Sequence, residues 1–327
     1  MTNNIHICSF PTVTVVVDDN RGFLDSIALN LDTNKQSYKY FANARQALEF
    51  IIDNYYKSQW FLEYIKDIEE ESQNCKLVEI NIGNLYRQIY NKNRFEIITN
   101  IIADYDMPEI NGLQMYDELQ GLDFYKVLLT GTASEQLAIQ AFNTKKINGF
   151  IPKSHSNIYD EIHKSIISAS DNYFSNITNR LLFHNNETHN NSPRNDKELQ
   201  KVIFNIMNNN NIVEYYMTEL ENSYLLVDKN GATSMFFLYP ESELDAFYNI
   251  AKDEELSEEC LKNLAKYETM FCYYNLQGNP LTDFSNCYRH LLKTNKININ
   301  NINYYWSYSP QTDHTLEFIS YNNVKSV

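Results

Sequence analysis

Four apolar runs in the first half of the chain each end on a polar side chain able to do chemistry. Val13 to Val17 leads into Asp18 and Asp19, Ile98 to Ala103 into Asp104, Lys126 to Leu129 into Thr130, and Ile147 to Pro152 into Lys153. An apolar run that stops on a carboxylate reads as a buried strand, and strand C-termini in an open parallel sheet converge on one crevice at the switch point. Carboxylates gathered within about 5 Å repel by roughly 3 kcal/mol per pair at an effective dielectric near 20, so the cluster requires a cation. Oxygen-only ligands with room for water suit Mg²⁺. Asp104 can then act as a carboxylate nucleophile toward a phosphoryl group, giving an aspartyl phosphate. Lys153 and the metal neutralise the phosphoryl oxygens, while Thr130 and the backbone N–H beside Asp104 donate hydrogen bonds to them. Singly, each residue has a plain structural use: an Asp pair caps a helix, Thr130-Gly131 makes a turn, Lys153 is a solvated charge. The ordered set, with Met107-Pro108 and Gly112 turning the chain after Asp104, favours the site.

The elements between these residues alternate. Phe23, Ile27 and Leu31 share a helix face after the first strand, and Asn43 can cap a second helix carrying Ala47, Leu48, Ile51, Ile52 and Tyr55. Further helices are predicted at about 113–119, 135–142 and 158–173, with a strand at 37–41. Alternating βα units imply an α/β doubly wound parallel sheet of five strands over residues 1–183. Asp104 follows Asp19 by 85 residues, whereas two helices, two strands and their loops need roughly 46. The excess, about 54–95, has helical spacing at Tyr55, Leu62, Ile65 and Ile68 up to Glu69-Glu70-Glu71, and again at Ile82, Leu85 and Ile89. It is read as a helical hairpin whose Trp60, Phe61 and Tyr64 must pack either on a second domain or on a partner.

A polar stretch at 184–196 is read as a linker, followed by an α+β domain with an antiparallel sheet at 197–327. There, Leu199, Val202, Ile203 and Ile206 predict a helix, with strands at 212–217 and 224–227. The turn Asp228 to Gly231 opens a hairpin into 235–239. Helices follow at 242–252, 257–267 and 284–292, and strands at 270–276, 304–308 and 316–321.

Composition narrows the function classes. The length of 327 residues suits two domains, and the net charge of -15 opposes binding to nucleic acid or an anionic membrane. Lys197 to Val327 holds 10 Lys/Arg against 17 Asp/Glu and shows no basic recognition helix. Tyr304-Tyr305-Trp306 and Tyr215-Tyr216 could stack bases, but the abundance of Tyr and Asn, which have A/T-rich codons, favours sheet core. The densest cationic stretch, Arg289 to Lys296, reads as a helix C-terminal charge. Five cysteines, Cys8, Cys75, Cys260, Cys272 and Cys287, contain no CxxC pair, which fits a reducing cytosol. With no signal peptide and no run of about 18 apolar residues, a soluble cytoplasmic protein is expected. His314 beside Asp313 is read as structural, and no Walker loop or Gly-Gly-Asp/Glu-Glu-Phe stretch points to an enzymatic output.

Over about Val13 to Ser170 the chain resembles the receiver domain of two-component response regulators. The resemblance rests on the acidic pair Asp18-Asp19, Asp104-x-x-Met-Pro-x-x-x-Gly112, Leu-Leu-Thr130-Gly and Gly-Phe150-Ile-Pro-Lys153. It implies Asp104 as phosphoacceptor; Asp18, Asp19, Asp104 and the Asp106 backbone carbonyl at Mg²⁺; Thr130 and Lys153 as a switch pair; and Phe150 as an aromatic that rotates on phosphorylation. It further implies a sensor histidine kinase or phosphotransfer protein as partner, and phosphorylation-dependent homodimers through the fourth helix, fifth strand and fifth helix. Three positions depart from the family pattern: Ser154 stands where proline is usual, Gly131 where alanine is usual, and Asp106 near the route of hydrolytic water. The layout, a receiver with a long insertion and an acidic output, is similar to the atypical response regulators of α-hydroxyketone quorum sensing. The expected function is a phosphorelay response regulator, not an enzyme beyond transfer to its own Asp. Its output is expected through protein interaction; the alternatives are direct nucleic-acid binding or an output domain that binds or processes a nucleotide or small molecule.

Overall fold

Strands β2 (Val13–Val17), β3 (Ser37–Phe41), β6 (Ile98–Asp104), β7 (Tyr125–Thr130) and β8 (Gly149–Pro152) pair in parallel in the order β3-β2-β6-β7-β8. The computed structural model describes residues 4–34, 36–68, 77–80, 82–131, 135–182, 192–218, 222–271, 291–310 and 318–325. β2 and β6 are buried at every position, as continuous apolar runs must be when helices cover both faces of a sheet. On one face α1 (Arg21–Asn30) and α5 (Ile158–Leu182) bury Val16, Ile102, Val127, Leu129 and Ile151. On the other, α2 (Ala44–Asn54), α3 (Gly112–Glu118) and α4 (Glu135–Asn143) cover Val15, Val17, Ile101, Ala103 and Leu128. Each such Val, Ile or Leu contributes about 1.5–3 kcal/mol by leaving water. Tyr116 of α3 is fully buried, and its hydroxyl lies 2.6 Å from the Val127 carbonyl and 3.0 Å from that of Ile101, tying the helix to the central strands. The register sets Val17 beside Ala103, Asp104 beside Leu129 and Thr130 beside Pro152, so the residues that follow emerge at one edge.

The inserted segment differs from the expected helical hairpin. It consists of 3₁₀ helices at Tyr55–Tyr64, Ile82–Tyr90 and Arg94–Glu96, with β4 (Ile65–Ile68) and β5 (Leu77–Ile80) forming a two-stranded sheet. Apolar residues three apart, such as Ile82 and Leu85, fit a 3₁₀ turn as well as an α-helix, so that spacing does not by itself separate the two. The isoleucines that seemed to continue the helix, Ile65 and Ile68, are β-branched and lie on a strand. Glu69, Glu70 and Glu71 lie outside the described residues. Trp60 and Phe61 are buried, and Trp60 lies 5.8 Å from the Phe10 ring. Trp60 Nε1 donates to Tyr173 Oη at 3.0 Å, which in turn donates to the Ser58 carbonyl at 2.9 Å. The apolar surplus around Trp60 is thus covered by α5 of its own unit.

The chain divides into one unit of Phe10–Val78, Asn91–Arg180 and Val324–Val327, and another of Met1–Ser9, Glu79–Tyr90 and Leu181–Asn323. This departs from the boundaries expected at 1–183 and 197–327. The physical reason is edge pairing: β1 (Cys8–Ser9) is antiparallel to β9 (Ile212–Met217), and Met217 N–H donates to the Ile7 carbonyl at 2.7 Å. A two-residue strand has no periodicity to read. Leu85, Tyr86 and Ile89 are likewise buried in this second unit.

The antiparallel sheet runs β1-β9-β10-β11-β15-β14, with β10 (Tyr224–Asp228), β11 (Thr233–Pro240), β14 (Asn295–Ile299) and β15 (Ile302–Pro310). Helix α6 (Lys197–Asn209), capped by Asp196, lays Leu199, Ile203 and Met207 against Tyr215, Tyr224, Leu226, Phe236 and Leu238. Helices α7 (Glu241–Asp253) and α8 (Glu258–Ala265) carry a smaller core of Ala251, Leu256, Cys260 and Leu264. Tyr215, Tyr216 and Tyr305 are buried and Trp306 stacks on Phe236 at 5.9 Å, so these aromatics are sheet core. Two expected elements change and one is added. Leu291 and Leu292 lie on β13 (Leu291–Lys293), paired with β12 (Thr269–Phe271), where a helix end was expected; 284–290 and most of 270–276 lie outside the described residues. Tyr321 opens helix α9 (Tyr321–Lys325) in place of ending a strand, and β14, which the sequence did not suggest, joins β15 through Asn300-Asn301, both with positive φ. His314 and Asp313 lie outside the described residues. Among the described residues no helix is long and apolar enough to cross a membrane. Trp60→Ala should lower stability by about 3 kcal/mol in urea denaturation; an unchanged midpoint would show that the insertion does not need this anchor.

Candidate functional site

Asp18 follows β2 directly, and its backbone N–H donates to the Phe41 carbonyl at 3.1 Å, which holds the strand end against β3. Its Oδ1 accepts from the Asn20 N–H at 3.0 Å, and Asn20 in turn caps α1 by accepting from Phe23 N–H. Asp18 is fully buried, while Asp19 points to solvent. Asp104 ends β6, 3% exposed. The chain then turns sharply: Tyr105 N–H bonds to the Leu129 carbonyl, Gly112 N–H to the Tyr105 carbonyl, and Glu109 takes a φ of 68°. A Cβ on Gly112 would come within 2.4 Å of the Asp104 carbonyl oxygen and 2.7 Å of Leu128, so only glycine lets α3 start this close to the strand. The reciprocal cap between Asn111 and Gln114 fixes that start.

Thr130 ends β7, 1% exposed, and its Oγ1 has no hydrogen-bond partner among the described residues. Lys153 follows β8 and its N–H donates to the Thr130 carbonyl at 2.8 Å, so the two residues share one backbone bond. Lys153 Nζ lies 2.7 Å from Asp18 Oδ2 and 2.9 Å from Asp104 Oδ1, bridging two buried carboxylates. Carboxylate oxygens of Asp18, Asp19 and Asp104 all lie within 4.8 Å of one another. Three hard oxygen donors, two buried and one open to water, fit a cation of the Mg²⁺ type. Asp106 is exposed in the turn, and a Cβ on Gly131 would meet its Oδ2 at an ordinary 3.7 Å, so alanine would fit there. Phe150 is half-buried on β8, 6.3 Å from Phe142 of α4 and edge-on to it.

The electrostatics follow from burial. Desolvation pushes the Asp104 carboxyl above the usual carboxylate range; Lys153 pulls it back by hydrogen bond and charge, and Asp18 and Asp106 push it up. For Lys153, burial disfavours the ammonium, but the hydrogen bonds and charges of Asp18 and Asp104 outweigh it and hold its pKa above the ordinary value. Both shifts are upward, so both contributions to stability fall as pH rises, each in its own range. A raised carboxyl favours the protonated folded state, so its contribution to stability falls as pH rises from the ordinary carboxylate value through the folded one. The raised lysine contributes stability below 10.5 that is lost as pH climbs through its folded pKa.

One further residue at this site has no motif in the sequence to mark it. Phe23, in the first turn of α1, sets its ring 5.0 Å from Lys153 Nζ, a cation–π distance. Its only signal was position, four residues after Asp19, and in the sequence it reads simply as helix core.

No family model matches the sequence, and no curated protein sequence matches it. Among solved structures, the response regulator LqsR of Legionella pneumophila is similar from end to end: 26% identity, 99% of this chain and 97% of that one covered, TM-score 0.76. The response regulator receiver domain protein from Clostridium thermocellum is 15% identical over 52% of this chain and 94% of its own, with a TM-score of 0.31. An adenylate cyclase from Rhodopirellula baltica is 16% identical over 52% and 94%, with a TM-score of 0.33. At those scores neither adds to what the Legionella structure shows, which is that the likeness read from the receiver motifs extends over both units.

Two measurements test this geometry. Gly112→Ala should destabilise the chain by about 1–3 kcal/mol through overpacking against the Asp104 carbonyl, read by urea denaturation. Lys153→Met should move the Asp104 carboxyl titration further up, followed by carbon NMR; a downward move would overturn the electrostatic account.

Proposed function

We propose that this chain, a response regulator with a receiver domain, takes a phosphoryl group onto Asp104 in a magnesium-dependent reaction and relays the change to its second domain. The observation that carries the reading is the meeting of Asp18, Asp104 and Lys153 beside Thr130, whose buried hydroxyl lacks a partner among the described residues. Asp18, Asp19, Asp104 and the Asp106 backbone carbonyl would hold the ion. When bound, Mg²⁺ supplies neutralisation of the charge on the phosphoryl oxygens.

The chain's own groups account for the rest. The Asp104 carboxylate attacks phosphorus, and the bond to the donor's leaving group breaks in line. Lys153, already aimed at Asp104, turns its ammonium to a phosphoryl oxygen, and Thr130 Oγ1 donates to another. Thr130 gains an acceptor that no described residue offers it in the unphosphorylated site, and Lys153 adds a phosphoryl oxygen to its carboxylate partners. Because Thr130 and Lys153 share a backbone bond, drawing Thr130 inward perturbs β8 and frees Phe150 to follow. The exposed Leu137, Ile139 and Phe142 of α4, beside that aromatic, are the surface on which phosphorylated copies would pair.

The donor would be a sensor histidine kinase or phosphotransfer protein, in the cytoplasm. The second domain, acidic and with its aromatics in the sheet core, supports output by protein interaction over nucleic-acid binding, and no enzymatic activity is assigned to it. The layout shared with α-hydroxyketone regulators and the end-to-end likeness to LqsR support control of gene expression or quorum-type signalling.

Treatment with acetyl phosphate and Mg²⁺, followed by a phosphate-affinity gel, tests the core claim. Wild type should shift and Asp104→Asn should not; Lys153→Met should slow labelling by about a hundredfold. Equal labelling of wild type and Asp104→Asn would sink the assignment. Tight, salt-sensitive retention of DNA or RNA by the full chain would reverse the preference for a protein-interaction output.

A further inference from the structure

Lys153 Nζ lies 2.7 Å from Asp18 Oδ2 and 2.9 Å from Asp104 Oδ1, yet the lysine side chain remains 28% exposed. Its four-carbon stem is flexible and its ammonium is strongly hydrated, so water outside the crevice competes for it. Two carboxylates attract the lysine but leave its route to solvent open. The Phe23 ring, 5.0 Å from Nζ, stands as a third side. A partly desolvated cation at that distance from an aromatic face is held by the ring quadrupole as well as by contact.

The ring is placed by the same carboxylate that attracts the lysine. Asp18 Oδ1 accepts from Asn20 N–H at 3.0 Å, and Asn20 accepts from Phe23 N–H twice, through its Oδ1 at 3.2 Å and its carbonyl at 3.0 Å. Asp18 Oδ2 closes the loop at Lys153. One buried side chain thus fixes the first turn of α1 with one oxygen and the ammonium with the other, so ring and cation share an anchor. Further along α1, Ser26 Oγ and Tyr159 Oη of α5 lie 2.9 Å apart and pin the helix from its other end. Phe23 also packs against the cluster of Leu24, Ile27 and Ile162, which gives it a plain structural use. That packing asks only for an apolar side chain, and leucine would serve; the cation asks for the ring.

We propose that Phe23 is a positioning residue for phosphoryl transfer to Asp104: its ring face keeps the Lys153 ammonium in the crevice, so that a phosphoryl oxygen arriving at Asp104 finds it in place. The inference rests on the reading of Asp104 as phosphoacceptor and adds a residue to it. Phe23 acts only through Lys153, so its effect has to vanish when the lysine is gone.

The rate at which the full chain is labelled by acetyl phosphate and Mg²⁺, followed on the phosphate-affinity gel, tests this. Phe23→Leu, apolar but without a ring, should label about fivefold more slowly, and Phe23→Tyr, which restores the ring, should label within about twofold of wild type. Phe23→Leu added to Lys153→Met should slow labelling no further than Lys153→Met alone, whereas a purely structural Phe23 would multiply the two effects. A second readout needs neither label nor Mg²⁺. The Lys153 Cε protons, identified by their loss in Lys153→Met, should lie upfield of ordinary lysine Cε protons because of the ring current, and should return to the ordinary position in Phe23→Leu but not in Phe23→Tyr. The proposal is overturned by unshifted Cε protons in wild type, by multiplied effects in the double variant, or by a Phe23→Tyr chain as slow as Phe23→Leu. Should wild type take no label at all, the phosphoacceptor reading falls, and the Cε protons alone decide whether the ring holds the lysine. Should Phe23→Leu fail to fold, the wild-type Cε protons and the Phe23→Tyr rate decide.

Discussion

The receiver unit turns on one arrangement, a lysine ammonium between two buried carboxylates. Asp18 and Asp104 are almost wholly out of water, with oxygens inside a 4.8 Å cluster. At an effective dielectric near 20 their repulsion is about 3 kcal/mol, and each contact with Lys153 near 2.8 Å returns about 6 kcal/mol on the same scale. The attraction is what allows strands β2 and β6 to carry their charged ends into a crevice that would otherwise protonate or open. It also explains why the surroundings are so constrained. Gly112 leaves no volume beside the Asp104 carbonyl, and Lys153 hangs from the Thr130 carbonyl, so the lysine cannot move without pulling on the neighbouring strand.

A balance of this kind suits a switch. Any group that competes for the ammonium, or any cation that takes its place between the carboxylates, redistributes several kcal/mol within a few ångströms. Phe23 adds a further restraint, since its ring lies against the Lys153 side chain. The Phe23 ring and the Thr130 carbonyl hold the lysine in line ahead of Ser154.

The second unit is organised by different physics. Its sheet is antiparallel, its aromatic residues are core, and its start lies not at a boundary after α5 but at β1, in the first ten residues. The insertion between α2 and β6 is divided in the same way: the Trp60 end is covered by α5, and 79–90 belongs with the antiparallel sheet. Residues of low polarity in a long loop must be covered by something, and both halves of this one are covered by the chain itself.

How much was legible in the sequence follows from how local each signal is. Asp18, Asp104, Thr130 and Lys153 could be placed because each ends a continuous apolar run, and a run of that kind in an α/β alternation has few readings. The hairpin at Asp228 to Gly231 was legible for the same reason, its turn residues lying next to its strands. The Asn300-Asn301 hairpin carried an equally local signal, two residues able to take positive φ, but weak alternation in β14 hid it. The 3₁₀ character of Tyr55–Tyr64 was not legible, because large residues three apart, such as Phe61 and Tyr64, are compatible with either helix type.

By itself, the sequence determined the parallel sheet, the order of its elements and the types of side chain at their ends, all set by periodicity and by where apolar runs stop. The packing of distant segments settled that Lys153 reaches both Asp18 and Asp104, that Gly112 is required by a backbone approach, and that β1 and residues 79–90 belong with the antiparallel sheet. It also put Arg194, within an apparent linker, in a buried position. These depend on distances between residues far apart in the chain, and on which surface each segment finds to cover it, and neither quantity is written in local spacing.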